Sequence, residues 1–207
     1  MMELYLIRHT TPAVASGICY GQADLDVTAS FATEAGCISK HLPPHIAQVY
    51  SSPLQRCRKL AEHLFPQHSI QFDDRLKEIN CGNWELSPWE SIEAAHLQHW
   101  TNNLADAVIP EGESYRQLYH RVAHFYDQLP KTASVAVVTH GGVIRSMLAH
   151  MQGVDILDSF DAFQIRYGCT IRVVHQTDGH QYEYLHNPDT PRETHRPRHL
   201  RPAKAGF

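Results

Sequence analysis

The sequence predicts a three-layer α/β/α sandwich with a mainly parallel central sheet. Patterns typical of strands and of helices alternate along most of the chain, as they do in α/β domains. Within the predicted strands at residues 3–8 and 134–138, the apolar residues form continuous runs at 4–7 and 135–138, which is typical of strands that are buried on both faces of a parallel sheet. With 207 residues, 43% of them hydrophobic, the chain is long enough to form one large core.

The individual elements follow from local signals along the chain. After the first strand a turn-rich loop runs to Asp26, and Thr28 is a suitable N-cap for a helix whose apolar residues recur at helical spacing. Ser52 followed by a proline indicates the start of another helix, which ends at Leu64 before a second proline. The remaining predictions are strands at 46–50, 70–72 and 134–138, helices at 87–105, 114–129 and 143–151, and two or three strands within 161–175 and 180–185.

We predict a single domain over residues 1–186, followed by a tail at residues 187–207. The tail holds four prolines and five Lys or Arg residues against two acidic residues. This composition is typical of a solvated, poorly ordered chain end. The alternative for the tail is a flap or a contact between subunits, the latter in a possible homodimer.

Charge and cysteine pattern limit the partners and the compartment. The formal net charge is −4, so the protein as a whole offers no basic field to nucleic acid or to an anionic membrane. The five cysteines lack CxxC spacing, which fits reduced thiols better than disulfides. The first residues lack a basic segment, and their apolar run is too short for a secretion signal or a membrane span. We therefore expect a cytoplasmic protein.

Two histidines directly follow predicted strands, where open α/β sheets bind their ligands. Arg8-His9 ends the first strand, and His140 follows the valine-rich strand and precedes Gly141. If these strands are neighbours, both imidazoles face one crevice, and Arg56 in the helix after Ser52 directs a guanidinium to it. Arginine can bind two phosphate oxygens at once, and glycine lets helix-start amides approach an anion closely. The sequence therefore predicts a phosphate site.

These residues can hydrolyse a phosphate monoester without a metal ion. Nearby guanidinium groups disfavour protonation of His9, which can then attack phosphorus and form a phosphohistidine that water hydrolyses. A departing alkoxide needs a proton, and Glu78 is the best candidate donor. The same carboxylate can afterwards activate the attacking water.

The sixteen histidines also raise the question of a metal site. His41 and His45, and likewise His120 and His124, have i, i+4 spacing on predicted helices. No HExxH motif or Cys/His cluster accompanies them, so we interpret these pairs as solvated helix faces. We predict that the protein needs neither a metal nor a cofactor.

In these motifs the chain resembles the histidine phosphatase superfamily, which has the phosphoglycerate-mutase-like fold, over about residues 3–175. The family's Arg-His motif falls on Arg8-His9, and its Ser-x-Leu-x-Arg-like element falls on residues 52–56. Its acid falls on Glu78, and its distal histidine on His140. The resemblance implies His9 as the phosphorylated nucleophile, Glu78 as the proton donor, and Arg8, Arg56 and His140 as phosphate ligands.

Two positions differ from the pattern of many family members. Thr10 stands where many have glycine, and Leu86 stands in place of the glycine of a Trp-Glu-Gly element. The Thr10 hydroxyl either contributes to the phosphate site or shapes the turn. We expect Leu86 to alter its loop without changing the chemistry.

Within the superfamily, residues 8–12 and 17–26 resemble α-ribazole phosphatases, which remove phosphate from α-ribazole 5′-phosphate during assembly of the cobalamin nucleotide loop. A benzimidazole base needs an aromatic or apolar platform. We expect Tyr20 to supply it ahead of Trp84 and Trp89, because Tyr20 lies in the loop that leaves the catalytic strand.

Three alternatives remain open. The substrate can be another small phosphorylated metabolite, such as a sugar phosphate or a nucleotide. A mutase is less favoured, because the chain between Glu78 and His140 is short for the extra elements that a mutase uses. The third alternative is a phosphoester-binding module without turnover, although a pure binder needs neither a nucleophile nor an acid.

Overall fold

The computed structural model describes residues 3–176 and 179–189, and its architecture confirms the predicted fold class. The described strands are β1 (Glu3–Arg8), β2 (Gln48–Ser51), β3 (Ile70–Phe72), β4 (Ser134–Thr139), β5 (Thr170–Gln176) and β6 (Gly179–His186). They form one sheet in the order β3-β2-β4-β1-β5-β6. The four strands from β3 to β1 in that order are parallel, and β5 and β6 pair in antiparallel fashion at one side.

Helices cover both faces of the sheet. Successive residues of a strand point to opposite faces, and Leu4 of β1 belongs to one apolar cluster while Tyr5 belongs to another. The Leu4 cluster includes residues of the helices at 115–127 and 141–152, and the Tyr5 cluster includes residues of the helices at 31–39 and 55–64. The helices are α1 (Phe31–Ser39), α2 (Gln55–Leu64), α3 (Ala94–Asn102), α4 (Tyr115–Asp127), α5 (Gly141–Gln152) and α6 (Ser159–Ala162).

The predicted helix over 114–129 is confirmed, and its start shows why. Ser114 is the N-cap of α4, and its hydroxyl accepts the Gln117 amide N–H at 3.2 Å. The Gln117 side chain in turn accepts the Ser114 amide N–H at 2.8 Å. This reciprocal capping box satisfies two amides that the helix itself leaves without partners.

Other predicted boundaries are wrong because loop contacts compete with helix formation. Thr28 is not a cap, since its hydroxyl contacts the Ser30 hydroxyl at 2.6 Å and α1 begins only at Phe31. The region 87–105 is not one helix, because Pro88 forms a bridge with Ile18 in the preceding loop. Helical structure there is confined to a 3₁₀ turn at Trp89–Ser91 and to α3. Further along, the chain from 163 to 169 is a loop and not the predicted strand.

The first residues of the predicted tail pack against the loop before β5. The Asn187 amide donates to the Gln164 carbonyl at 2.8 Å, and the Arg166 guanidinium pairs with Asp189 at 2.8 Å. Residues 190–207 lie outside the described residues, so the poorly ordered tail and the division at residue 186 stay predictions. The five cysteines form no disulfide with one another. Within 3–176 and 179–189, no helix has the length and apolar character needed to cross a bilayer.

The sheet order brings the predicted site together. Strand β4 lies between β1 and β2 and is parallel to both. Parallel neighbours end at the same edge of a sheet, where α/β proteins bind their ligands. The residues that directly follow the three strands are His9, Ser52 and His140.

Candidate active site

His9 and His140 lie side by side at this edge, with ring centroids 5.1 Å apart in an edge-to-face arrangement. Both side chains are buried. His9 Nδ1 lies 2.7 Å from the Thr10 carbonyl oxygen, which can only accept a hydrogen bond. We therefore assign the proton of the neutral ring to Nδ1, which leaves the lone pair on Nε2. The ring offers Nε2 as a nucleophile.

The His140 ring is held against the start of α2. Its Nε2 lies 2.8 Å from Ser52 Oγ and 3.4 Å from Cys57 Sγ. Burial, together with the positive charge of Arg56, lowers the pKa of His140 well below its usual range. Burial also raises the pKa of the Cys57 thiol to about 12. The site therefore presents a neutral imidazole beside a neutral thiol.

Arg8 enters the site from β1 and packs on an aromatic ring. Its Nη1 donates to the Ile165 carbonyl at 2.8 Å, and its guanidinium lies 4.2 Å from the centroid of Tyr167. Gly141, at the start of α5, lies so close that an added Cβ would approach Arg8 Cζ to 3.1 Å. A helix-start amide and a guanidinium thus converge here, as the sequence predicts for an anion site.

Arg56 is fully buried and lies in the first turn of α2, which begins at Gln55. Its two terminal nitrogens donate to the Gly21 and Ala23 carbonyls at 2.6 and 2.8 Å. Among the described residues, Arg56 Nε and Thr10 Oγ1 are buried without a hydrogen-bond partner. Buried polar atoms of this kind call for an explanation, and a bound anion supplies one.

Glu78 reaches the same edge from the segment that follows β3. Its Oε2 accepts the Gly142 amide N–H at 2.9 Å, and its Oε1 accepts the Ile79 amide N–H at 2.9 Å. Gly142 is the second residue of α5, so the Glu78 carboxyl group lies at the N-terminus of that helix. A Cβ at Gly142 would lie 2.2 Å from Glu78 Oε1. Only glycine at position 142 leaves room for the Glu78 carboxyl group.

Two tyrosines border the site. The Tyr20 and Tyr167 hydroxyls are 2.6 Å apart, and the Tyr20 centroid lies 5.7 Å from the Arg56 guanidinium. The Tyr167 ring is 5.5 Å from His9. Burial raises the pKa of Tyr20 well above its usual value, so this phenol stays protonated.

The two tryptophans that the sequence offered as alternatives to Tyr20 lie elsewhere. Trp84 and Trp89 are each 5% exposed and pack against each other and against Trp100 in the apolar core. They do not border the site. The second aromatic residue that borders the site is Tyr167, which sequence reasoning missed.

Glu85 is another residue that sequence reasoning missed. Its carboxylate accepts the amide N–H groups of Gly21, Gln22 and Ala23 at 2.9, 2.7 and 3.1 Å. Glu85 therefore fixes the loop that Arg56 also holds. Its place in the Trp-Glu-Gly element was a signal that could have identified it. The next residue, Leu86, has φ +62°, a conformation that favours glycine.

The histidine pairs considered for a metal site have other partners. His41 Nδ1 bonds with the Cys37 carbonyl at 2.9 Å, and His124 contacts Arg75 at 3.2 Å. Nowhere in the part of the chain that the structure describes do three His, Cys, Asp or Glu side chains approach one another as metal ligands do. The absence of a metal or cofactor requirement stays a prediction.

Known proteins resemble this chain in sequence and in fold. The family model described as Histidine phosphatase superfamily (branch 1) matches residues 4–188. "Probable phosphoglycerate mutase GpmB" of Escherichia coli O1:K1 / APEC is 30% identical over 164 residues, which are 74% of this chain and 76% of the relative. The α-ribazole phosphatase of Shigella flexneri superposes with a TM-score of 0.81 at 24% identity, over 89% of this chain and 96% of that one. Phosphoglycerate mutase from Thermus thermophilus gives 0.66 at 29% identity, over 83% and 92%.

Proposed function

Because the chain belongs to the histidine phosphatase superfamily, we propose that it is a phosphomonoesterase that acts through a phosphohistidine at His9. One observation carries this proposal. Two buried histidines lie 5.1 Å apart at the edge of the sheet, in a site that two arginines enter and that Glu78 borders. This is the set of groups that phosphoryl transfer to an imidazole requires.

The phosphate group binds between Arg8 and Arg56, with the Thr10 hydroxyl and the Gly141 amide as further donors. Arg56 Nε and Thr10 Oγ1 support this placement, because both are buried and have no partner among the described residues. A buried polar atom without a partner costs about 1–3 kcal/mol, which a bound phosphate oxygen would recover. The neutral His140 ring donates an N–H to another phosphoryl oxygen.

The reaction then has two steps. His9 Nε2 attacks phosphorus in line, the bond from phosphorus to the ester oxygen breaks, and the protonated carboxyl group of Glu78 gives its proton to the departing alcohol. In the second step the Glu78 carboxylate takes a proton from water, whose oxygen attacks the phosphohistidine. Inorganic phosphate leaves, and both His9 and Glu78 return to their starting states.

For the substrate we propose α-ribazole 5′-phosphate, and hence a role in cobalamin nucleotide-loop assembly. The rings of Tyr20 and Tyr167 border the site and suit a flat aromatic base. The fold shared with the α-ribazole phosphatase of Shigella flexneri is compatible with this choice. A cytoplasmic location and a homodimer stay predictions.

The second candidate is a phosphoglycerate-type mutase, which the 30% identity to GpmB favours. A mutase must retain a phosphorylated intermediate and transfer the group back. Between Glu78 and His140 the chain forms two 3₁₀ turns, α3, α4 and β4, which leaves little length for elements that would enclose such an intermediate. A phosphatase for a sugar phosphate or a nucleotide uses the same chemistry and differs only in the leaving alcohol.

The test is a substrate panel with α-ribazole 5′-phosphate, ribose 5-phosphate, a nucleoside 5′-monophosphate and 3-phosphoglycerate, assayed for released phosphate. We expect the highest kcat/KM for α-ribazole 5′-phosphate, and a loss of at least ~10³-fold in His9→Ala. His41→Ala on an exposed face of the chain is the matched control. Mass spectrometry of the quenched enzyme should find an acid-labile phosphate on His9.

Each result has a distinct meaning. If no ester releases more phosphate with the wild type than with His9→Ala, the protein is a phosphoester-binding module without turnover. Conversion of 3-phosphoglycerate to 2-phosphoglycerate without release of phosphate would support the mutase. A clear preference for ribose 5-phosphate or the nucleotide would refute the proposed leaving group but retain the phosphatase.

A further inference from the structure

Arg121 on α4 directs its guanidinium at the segment that carries Glu78. Its Nη1 donates to the Arg75 and Lys77 carbonyls, both at 2.7 Å, and its Nη2 donates to the Glu78 carbonyl at 2.9 Å. On its other side, Nε and Nη2 donate to the two carboxylate oxygens of Glu113 at 2.7 and 2.9 Å. One cation thus joins three carbonyls to a carboxylate.

Further bonds tie the same segment to the start of α4. Glu113 accepts the Asn80 amide N–H at 2.9 Å, and the Asn80 carbonyl accepts the Glu113 amide N–H at 3.0 Å. The Gln22 side chain is a second donor to the Glu78 carbonyl, at 3.0 Å. The Arg121 and Glu113 side chains are 19% and 14% exposed, so solvent screens their ion pair only in part.

The segment needs such a support because it has no regular structure of its own. Residues 77–81 lie between 3₁₀ turns at Asp74–Leu76 and Gly82–Trp84, so neither a helix nor a sheet strand fixes the backbone of Glu78. A general acid must lie within hydrogen-bond reach of the leaving oxygen. A displacement of about 1 Å can reduce a rate ~10²-fold.

We propose that Arg121, held in place by Glu113, is a positioning residue for Glu78. It fixes the backbone from which the Glu78 carboxyl group reaches the amide of Gly142. The kinetic consequence of this inference rests on the proposed phosphatase function. Lysine cannot replace Arg121, because a single ammonium lacks the planar set of donors that reaches three carbonyls and a carboxylate together.

The kinetic test compares two esters in matched variants. Ribose 5-phosphate has an alkyl leaving group that needs a proton, whereas 4-nitrophenyl phosphate has a leaving group that departs without one. In Arg121→Gln and in Arg121→Lys we expect kcat to fall ~10–100-fold for the alkyl ester and less than ~3-fold for the aryl ester, with similar KM values. Arg116→Gln is the control, because Arg116 lies on the same helix and pairs with Asp106 at the surface.

Two further measurements separate positioning from general damage. In a Glu78→Gln background, Arg121→Gln should produce no further loss with the alkyl ester, because the group that it positions is already absent. Hydrogen exchange of the Ile79 and Gly142 amides, which donate to the Glu78 carboxylate, should become at least ~10-fold faster in Arg121→Gln relative to Val137 in β4.

Three results would overturn the inference: equal losses for both esters, additive losses in the Glu78→Gln background, or wild-type exchange at the two amides. If the wild-type protein hydrolyses neither these two esters nor α-ribazole 5′-phosphate, the proposed function fails. The exchange rates then still decide whether Arg121 holds the Glu78 carboxyl group in place.

Discussion

Replacing Gly142 by alanine should move the Glu78 carboxyl group without altering that group itself. The added Cβ would lie 2.2 Å from Glu78 Oε1, whereas ordinary van der Waals contact begins at 3.4 Å. The oxygen must therefore withdraw by the difference, about 1.2 Å. The helix itself should tolerate the change, because alanine is favoured over glycine in helices by about 1 kcal/mol.

The expected magnitude follows from this displacement. A shift of about 1 Å in a reacting group can reduce a rate ~10²-fold, and general acid catalysis contributes ~10²–10⁴-fold in all. We therefore expect kcat of Gly142→Ala to fall about 10²-fold for ribose 5-phosphate. The loss with 4-nitrophenyl phosphate should be no more than a few-fold, because its leaving group departs without a proton.

The assay measures phosphate release from both esters at saturating concentration. Gly36→Ala is the matched control, since Gly36 lies in α1 and a Cβ there meets nothing within 4 Å. Its activity should equal that of the wild type. Circular dichroism and thermal unfolding establish that both variants are folded.

Two outcomes would refute the reasoning. Wild-type activity of folded Gly142→Ala with ribose 5-phosphate would mean that the reaction does not need the Glu78 carboxyl group at its place beside α5. Equal losses with both esters would mean that the methyl group damages the phosphate site instead of the proton donor.

Two further predictions concern stability. Because burial and the charge of Arg56 lower the pKa of His140, the unfolded chain binds a proton below about pH 6.5 that the folded protein excludes. The free energy of unfolding should therefore fall as the pH falls below about 6.5, by up to ~1.4 kcal/mol per pH unit. An equally steep fall in the His140→Gln variant would show that His140 does not cause this pH dependence. Leu86→Gly should raise the free energy of unfolding by about 0.5–1 kcal/mol. The backbone conformation at φ +62° costs a residue with a side chain about 1–2 kcal/mol, and the greater backbone entropy that glycine loses on folding cancels part of the relief. The control is Leu157→Gly, because Leu157 is also exposed but does not have a positive φ. Thermal unfolding should show that the control is destabilised, and an equal destabilisation of Leu86→Gly would contradict the strain inferred at Leu86.

The parts of the site that directly follow strands could be predicted from the sequence. Continuous apolar runs mark buried parallel strands, and the residue after such a strand lies at the ligand-binding edge, which placed His9 and His140 correctly relative to each other. Glu78 lies on an irregular segment, so the resemblance and the chemistry of a proton donor identified it where periodicity could not. Its contact with Gly142 depends on the path of the backbone.

The supporting contacts had no comparable signal. Three partners of Arg121 are backbone carbonyls, which every residue has, so these contacts leave no trace in the sequence. The prediction of one helix over 87–105 was also misleading, because Trp89 lies in a 3₁₀ turn and packs against Trp84 and Trp100. There, the pairing of Pro88 with Ile18 decided the structure.

The pairing of β1 with β4 also determines when a newly made chain can acquire activity. Arg8 lies opposite Thr139, and the loop with Tyr167 completes the surroundings of His9. During translation His9 leaves the ribosome well before β4 and Tyr167, which follow it far along the chain. Incomplete chains therefore expose a strand without its partner and have no site for phosphate, so folding depends on late contacts between distant segments and should be slow.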